Sequence, residues 1–347
     1  MKKVDIIGGG IAGLALAAKL DPAQFDVTVH EQRPELPTVG TTLAMWPGAR
    51  EALAELGLLE SINEQGTFLA AGALRKPSGQ PMLTMEGGGL VGVTRPALLR
   101  LLDSAVPVSV RRKRERVELL PSDSWLVVGA DGVHSTVRRT CWGARAAARP
   151  TPFLAVRGVV PSRPSPEDVG EYWGRGTLFG LAPTEGGTNW YASYRSQLGP
   201  ERVDVAEALK EAQQHYSHHS AAVQGVLAQA TPDISLAQRI WTAPPLAKYT
   251  RGNVVLLGDA AHAMTPNLGR GACETLVDAV TLGRLINDLP RQEALHKYNR
   301  QRVLRTQQLR LASSMMGKVA LAETMQPVRD GLLKQVGKRV AGKRKGA

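Results

Sequence analysis

Residues 4–13 read VDIIGGGIAG, and this stretch decides the fold. An apolar strand runs directly into the pattern G-x-G-x-x-G, formed by Gly8, Gly10 and Gly13. Glycines at these places let a tight turn and the N-terminus of a helix approach a dinucleotide pyrophosphate. The Ala- and Leu-rich residues 11–20 are expected to form that helix. The stretch therefore predicts the first strand and helix of a Rossmann-like domain.

The acid at Glu31 extends this pattern. Residues 26–30 (DVTVH) have the character of a second strand and place Glu31 at its carboxyl end. A carboxylate there can accept hydrogen bonds from the hydroxyls of an adenosine ribose. An acid suits a ribose without a 2′-phosphate, so the nucleotide is expected to be FAD or NAD rather than NADP.

Two later segments repeat the combination of a buried strand and a glycine turn. Residues 125–128 are apolar and lead into Gly129-Ala130-Asp131-Gly132, and residues 253–257 lead into Gly258-Asp259-Ala260-Ala261-His262. Each turn alone is common in α/β proteins, and Asp131 alone could simply be the N-cap of a helix. Their order on one chain, together with the first fingerprint, indicates a single nucleotide-binding domain.

The composition and the hydrophobic pattern of the sequence change between these segments. Residues 150–245 carry Pro and Gly punctuation and short strand-like runs, which is typical of an antiparallel sheet. Residues 291–347 are mainly helical in pattern and end in a basic tail. We therefore predict an α/β fold with a Rossmann-like FAD-binding domain (1–149 and 246–290), an inserted, mainly antiparallel β substrate domain (150–245) and C-terminal helices.

Composition and charge limit the class of protein. The chain has 347 residues and a formal net charge of +12, and half of that excess lies in a basic tail from Lys334 onward. The basic cluster at residues 111–116 has no interleaved aromatic residues for base stacking, so specific nucleic-acid binding is not expected. Only Cys141 and Cys273 are present, and no run reaches the roughly 18 apolar residues of a membrane span. We expect a cytoplasmic protein.

The chain resembles the group A flavoprotein monooxygenases with the para-hydroxybenzoate hydroxylase fold, and within them the salicylate, 3-hydroxybenzoate and urate hydroxylase branch. The likeness extends over the whole chain and rests on several motifs in the family's order. They are the G-x-G-x-x-G pattern with Glu31 and Arg33, the segment from Val39-Gly40 to Trp46-Pro47, Arg95 with its Leu pair, Gly129 to Ser135 with Arg138, and Gly258 to His262 running to Asp278.

This resemblance implies an activity. NADH or NADPH would reduce a bound FAD, O2 would form a flavin C4a-hydroperoxide, and one oxygen atom would pass to an aromatic, phenolic or polyketide-like small molecule. The cofactor does this chemistry, so no residue is assigned as a catalytic acid or base, and no metal site is expected. A flavin-dependent epoxidase of an alkene and a non-catalytic FAD-binding protein are the alternatives. The protein is expected to be a monomer or a homodimer.

The family's motifs assign cofactor-binding roles to the matching positions. Asp259 would accept from ribityl hydroxyls, Arg95 would reach the flavin side chain, and Asp131-Gly132 would lie at the pyrophosphate. Arg270 stands where the family most often has Gln, and we expect its side chain to point to solvent. The predicted cofactor-binding residues are Gly8, Gly10, Ile11, Ala12, Gly13, Glu31, Gln32, Arg33, Arg95, Asp131, Gly132, Gly258, Asp259, Ala260, Pro266, Leu268, Gly269, Arg270, Gly271 and Ala272.

The inserted sheet would cover the flavin, so its strands supply candidates for the substrate pocket. Side chains alternate along a strand, so only about half of them can face the pocket, and Trp190 and Tyr191 cannot both do so. In the urate hydroxylases an Arg on this strand holds the substrate. Here that position is Asn189, which argues against urate. The pocket candidates are Thr42, Met45, Phe179, Trp190, Tyr191 and Arg195.

Overall fold

The structure is a computed structural model that describes residues 1–37 and 40–344. Val39 of the family motif and Lys345 of the basic tail lie outside the described residues. The strands are β1 (Lys2–Ile7), β2 (Phe25–His30), β3 (Thr42–Met45), β4 (Thr67–Arg75), β5 (Pro81–Thr94), β6 (Arg111–Lys113), β7 (Leu126–Gly129), β8 (Arg149–Val160), β9 (Gly170–Trp173), β10 (Thr177–Thr184), β11 (Gly187–Arg195), β12 (Ser235–Thr242), β13 (Thr250–Arg251) and β14 (Val254–Leu256).

The helix predicted over residues 11–20 spans Ile11–Lys19. Gly57, with a positive φ of 70°, lies in the turn between a helix that ends at Glu55 and one that begins at Leu59. The predicted helical run beyond residue 291 forms two helices, which are separated between Ala320 and Gln326. The helices are α1 (Ile11–Lys19), α2 (Pro47–Glu55), α3 (Leu59–Gln65), α4 (Arg95–Ser104), α5 (Thr136–Trp142), α6 (Val205–His215), α7 (Ala221–Gln229), α8 (Asp259–His262), α9 (Gly271–Asp288), α10 (Arg291–Ala320) and α11 (Gln326–Arg344).

The first sheet has the strand order β13-β14-β7-β1-β2-β6. β1 pairs in parallel with β2 and β7, and β7 pairs in parallel with β14. These strands are apolar and largely buried on both faces, as expected for parallel strands covered by helices. The prediction of a Rossmann-like domain is confirmed. Its parallel strands bring the turns at Gly8, Gly129 and Gly258 to one edge of the sheet.

The second sheet has the strand order β12-β8-β11-β10-β9-β4-β5-β3 and is antiparallel except where β4 meets β9. It therefore takes β3, β4 and β5 from the part of the chain before residue 150. Strands from both sides of residue 150 thus share one sheet. The predicted domain boundaries stay a prediction. None of the helices in residues 1–37 and 40–344 is long and apolar enough to cross a membrane.

The two faces of the second sheet have different neighbours. One face of β8, β10 and β11 packs against α6 and α7 through Phe179, Trp190, Tyr194 and Tyr216, all with no exposed surface. We call this the helix-covered face. The opposite face contacts the end of α10 at Ala320 and is joined to β3 through Thr42. Between these two contacts it faces the first sheet. We call it the cleft face, because the space between the two sheets opens onto it.

A buried ion cluster joins α8, α9 and α10 beneath that space. The Asp278 carboxylate accepts from His262 Nε2, Arg302 Nε and the Gly258 amide at 2.6, 2.6 and 3.0 Å. Arg302 also donates to Glu274 at 2.6 Å. Burial alone would raise the pKa values of Asp278 and Glu274, but these partners outweigh it and both pKa values are lowered. His262 is therefore part of the scaffold.

Replacing Arg302 with Met should destabilise the fold by about 3–5 kcal/mol, because Glu274 and Asp278 would stay buried without the cation that they share. The lowered folded-state pKa values mean that this stabilisation is present above the unfolded pKa values near 4 and is lost as the pH falls through the lower folded values. Urea unfolding at about pH 7 and about pH 3 should show the deficit of the variant shrinking in acid. Arg300→Met, at an exposed position of the same helix, is the control. Equal stability of the two variants would contradict this assignment.

Candidate active site

The glycine turn after β1 is built for close packing. Gly8 has a φ of +110°, and a Cβ atom there would lie 2.3 Å from the Ala130 carbonyl oxygen. A Cβ on Gly13 would lie 1.9 Å from the Gly8 carbonyl oxygen. Ile11 and Ala12 are buried beneath the turn. These contacts hold β1, α1 and the turn after β7 together, so the fingerprint is structurally required here.

The N-terminus of α1 is free to receive an anion. Within residues 1–37 and 40–344, no side chain caps this helix at Gly10, and a Cβ on Gly10 would meet no atom within 4 Å. The Glu31 carboxylate lies beside it and accepts from the amides of Gly9 and Arg33, both at 2.8 Å. Gln32 and Arg33 are exposed on the same loop. Open space in front of unpaired amides, with an acid beyond, fits the pyrophosphate and ribose of FAD.

Asp131 is engaged in capping α5. Its carboxylate accepts from Ser135 Oγ at 2.5 Å and from the amides of Thr136 and Val137 at 2.7 and 3.1 Å. Burial raises the pKa of Asp131, although these hydrogen bonds act to lower it. The helix-cap interpretation is therefore what the geometry shows. A role of Asp131 and of the adjacent Gly132 in cofactor binding stays a prediction.

The turn after β14 faces the start of α4 across the cleft. Gly258 has a φ of +55°, and a Cβ there would lie 2.7 Å from Thr275 Oγ1, while Asp259 is exposed at the start of α8. Burial lowers the pKa of Arg95, and Asp259 partly offsets this while Arg33 adds to it. The Arg95 side chain is accessible to solvent even so. Arg95 is therefore accessible to solvent and also close to other charged side chains, as in a cleft. Arg33 and Asp259 lie near it in the same cleft.

Arg138 fixes the position of α8 from below. Its buried guanidinium donates to the carbonyls of Ala146, Ala260 and Ala261 at 2.6, 3.0 and 2.7 Å. Burial lowers the pKa of Arg138 to about 10. Ala260 is itself fully buried, so its contribution to a cofactor site would come from its backbone. The short side chains after Asp259 allow this tight arrangement.

The expectation that Arg270 points to solvent is wrong. Its guanidinium lies 4.9 Å from the centre of the Trp46 ring and donates to Glu274 at 3.1 Å, which leaves the side chain only 20% exposed. The aromatic face and the carboxylate attract the cation more than water does. The neighbouring Gly269 has a φ of +59°, which the turn requires. The remaining predicted residues of this segment, Pro266, Leu268, Gly271 and Ala272, all keep some exposed surface.

Several substrate-pocket predictions are wrong. Phe179 and Trp190 stack at 5.8 Å on the helix-covered face and have no exposed surface. Met45 is likewise fully buried in the core of the first sheet's domain. Arg195 lies on the cleft face but at its far end, where it pairs with Glu323 at 2.8 Å. Alternation along a strand separates two sets of side chains, but it does not say which set meets the helices.

Thr42 does border the cleft. Its amide donates to Asn189 Oδ1 at 2.8 Å and its hydroxyl donates to Thr184 at 2.9 Å. The preceding Thr41 carbonyl accepts from the Arg95 amide at 3.0 Å. The cleft face of β10 and β11 is thereby joined to the Arg95 region. The Asn189 side-chain oxygen is therefore already hydrogen-bonded to the Thr42 amide.

A line of four residues crosses the cleft face of four adjacent strands. Arg157 on β8, Tyr191 on β11, Gly180 on β10 and Glu171 on β9 are register partners in turn. The Tyr191 hydroxyl donates to Glu171 at 2.6 Å, and Trp173 Nε1 donates to the other Glu171 oxygen at 2.9 Å. A Cβ on Gly180 would lie 2.1 Å from Tyr191 Cζ, so glycine is what lets the ring cross β10. We call these four residues the polar row.

Arg157 is the unexpected member of the polar row. Among the described residues, no hydrogen-bond acceptor or carboxylate pairs with its side chain. Burial lowers the pKa of Arg157 to about 10, and the nearby Arg95 lowers it further. Sequence reasoning missed both Arg157 and Glu171. A single cation inside the apolar run of residues 153–160 was a usable signal for the first, whereas nothing in the sequence marked Glu171.

Gly10→Ala should leave the fold intact and weaken FAD binding by at least about tenfold, because the added methyl group meets no protein atom but enters the space in front of the α1 amides. Flavin fluorescence quenching gives the Kd, and thermal unfolding of the apoprotein reports the fold. Gly225→Ala, at an exposed position of α7 with equally open space, is the control. If the variant binds FAD as tightly as the native protein, the pyrophosphate does not lie here.

Comparisons with known proteins agree with this site. Residues 102–313 match the family described as FAD binding domain, and residues 6–46 match the NAD(P)-binding Rossmann-like domain. The chain is 34% identical to the 2-heptyl-3-hydroxy-4(1H)-quinolone synthase of Pseudomonas aeruginosa, over 92% of this chain and 90% of the relative. It is 31% identical to the 3-hydroxybenzoate 6-hydroxylase of Polaromonas naphthalenivorans, over 92% and 88%.

A solved structure gives the same result for the fold. The crystal structure of Klebsiella pneumoniae HpxO with FAD and uric acid superposes with a TM-score of 0.85 at 25% identity, covering 99% of this chain and 95% of that one. The cofactors of this chain are FAD and NAD(P)H, as predicted. The chain belongs to the group A flavoprotein monooxygenases and is an FAD-dependent NAD(P)H monooxygenase of the aromatic hydroxylase type.

Proposed function

We propose that the protein oxygenates a planar aromatic or heteroaromatic ring that carries an ionisable oxygen, with O2 as the source of the inserted atom. A phenol and a 4(1H)-quinolone are two rings of this kind. The observation that carries the proposal is Arg157, a cation on the cleft face with no partner among the described residues. We also infer a cytoplasmic location, which is supported by Cys141 and Cys273 both being free thiols.

FAD, when bound, supplies the redox and oxygen chemistry, so the protein's own residues have to hold and polarise the ring. Arg157 is half-buried, and an unpaired cation that has lost part of its water is costly unless an anion or strong acceptor binds it. An oxyanion on the substrate would provide that partner. Holding the ring oxygen as an anion raises the electron density at the neighbouring ring carbons, which favours attack by an electrophilic oxygen.

Arg157, at one end of the polar row, favours a ligand oxygen that accepts hydrogen bonds, whereas Tyr191 and Glu171, toward the other end, favour a ligand group that donates one. The Tyr191 hydroxyl donates to Glu171, so the phenolic oxygen is left as an acceptor for an O–H or N–H group of a ligand. Arg157 and Glu171 lie three strand spacings apart, roughly 14 Å between backbones, and their side chains and the Tyr191 ring shorten the gap to about the size of a fused ring. The row therefore suits a ring with an oxygen acceptor on one side and a donor on the other.

A 4(1H)-quinolone has this arrangement, with a carbonyl oxygen and a ring N–H on opposite sides. The 34% identity to a 2-heptyl-3-hydroxy-4(1H)-quinolone synthase supports this class of substrate. The 3-hydroxybenzoate 6-hydroxylase among the relatives supports a phenol. A 4(1H)-quinolone satisfies both ends of the polar row, a phenolate satisfies its Arg157 end, and an alkene without polar groups satisfies neither.

The test measures turnover by the FAD-loaded protein. NADH and NADPH oxidation should accelerate with phenols or 4-quinolones, and the product should contain one atom from labelled O2. The O-methyl ethers of the same rings, which cannot ionise, should give little stimulation. Epoxidation of a simple alkene in place of ring hydroxylation would overturn the proposal, and so would equal rates with the ethers.

Arg157→Gln should weaken the binding of an ionised phenol by about 10- to 100-fold, because a charged hydrogen bond contributes about 1.5–3 kcal/mol. Binding of the matching O-methyl ether should change little. Perturbation of the flavin spectrum measures both Kd values. Arg195→Gln, on the same sheet face but paired with Glu323, is the matched control. An equal loss for the phenol and its ether would show that Arg157 acts only through packing.

Glu171→Gln should stabilise the fold at about pH 7 and have no effect at about pH 3. Burial raises the folded-state pKa of Glu171 although Tyr191 and Trp173 act to lower it, so its ionisation costs stability as the pH rises from the unfolded to the folded pKa and above. Urea midpoints measure the change, with exposed Glu167→Gln as the control. A destabilised variant at neutral pH would instead make Glu171 a structural acid.

A further inference from the structure

The basic tail and the surface around it are not accounted for by the oxygenation chemistry. Of thirteen large apolar side chains that are exposed among the described residues, nine lie between residues 304 and 336. A scattered exposed apolar residue needs no explanation, but a concentration on two helices does. On α10 these exposed residues lie on the side away from Arg302 and Ser313, which are buried against the rest of the protein.

The exposed residues form a stripe along the end of α10. Leu304, Leu311, Met315 and Val319 are spaced by seven, four and four positions, which places them on one side of the helix. Their exposed fractions are between 46% and 68%. The opposite side of α10 is buried against the domain, for example at Ser313. This stripe is therefore an apolar face with no protein covering it in the described part of the chain.

A second stripe continues on α11. Val328, Leu332 and Val336 recur every four residues, and Met325 precedes them by three. The two helices adjoin where α10 ends, because Arg329 on α11 donates to the carbonyl of Ala320 at 3.1 Å. Arg329 is buried, so its own charge is not part of the surface. We call the two stripes together the C-terminal apolar surface.

The charge of this part of the chain is strongly positive. Residues 303–347 contain ten Lys and Arg against two acids, a net of +8 out of +12 for the whole chain. Both acids are already paired, Glu323 with Arg195 at 2.8 Å and Asp330 with Arg329 at 2.9 Å. Among the basic residues of this segment whose side chains the structure describes, Lys318 and Lys334 take part in no ion pair, whereas Arg305, Arg310 and Arg329 have partners.

We propose that the C-terminal apolar surface docks on an anionic phospholipid membrane. Apolar side chains would enter the interface between headgroups and acyl chains while Lys and Arg bind lipid phosphates, each contributing about 1 kcal/mol near an anionic surface. A second copy of the chain is a poorer occupant, because a two-fold interface would place the same positive charges opposite each other. The protein would lie on the membrane without crossing it.

The experiment is sedimentation of the FAD-loaded full chain with vesicles. Vesicles of phosphatidylcholine with phosphatidylglycerol should bind the protein, and the bound fraction should fall as salt is raised from low to physiological concentration. Vesicles of phosphatidylcholine alone should bind at least about tenfold less. Absence of binding to the anionic vesicles at low salt would overturn the proposal.

Variants locate the surface. The quadruple change Leu311→Glu, Met315→Glu, Val328→Glu and Leu332→Glu should reduce vesicle binding by at least about tenfold. The control is Val108→Glu with Leu119→Glu, two exposed apolar positions on the first domain. NAD(P)H oxidation without vesicles separates this test from that of the proposed function. If the quadruple variant binds vesicles normally but changes a dimer into a monomer in light scattering, the surface is a contact between copies and the proposal fails.

Discussion

The Asp278 carboxylate is the interaction on which the cofactor cleft depends. It is fully buried and collects a histidine from α8, an arginine from α10 and the backbone amide of Gly258. Three successive helices of the chain are thereby fixed under one turn. In a low-dielectric interior the arrangement is stable only if every partner is present, so the position of the turn after β14 is set with little freedom. The geometry that places Asp259 opposite Arg95 follows from it.

The cleft itself results from how the two sheets meet. The first sheet presents free helix amides and an acid at one edge, and the second sheet presents its polar row from the other side. The second sheet can do this because α6 and α7 take up the aromatic side chains of its other face. One face is therefore a hydrophobic core and the other is available for a ligand. The joint through Thr42 and Asn189 keeps the two parts in register.

The sequence predicted well those features that depend on local pattern. The glycine turn, Glu31 and the helix after Gly10 are set by neighbouring residues, so motif and periodicity were enough to find them. The positions of Phe179 and Trp190 could not be found in this way, because which face of a strand meets the core is decided by helices more than ten residues away in the chain. Arg157 and Glu171 become a pair of opposite charges on one line only through strand register, and register is absent from a single sequence.

The Tyr191 ring lies across β10 in the space that the missing side chain of Gly180 provides. The strand beneath the ring and the hydrogen bond to Glu171 confine it to one rotamer before any ligand arrives. Ordering such a side chain during association would cost about 0.5–1.5 kcal/mol of conformational entropy. In this protein that entropy is lost when the sheet folds, so one bare glycine makes the recognition surface preorganised.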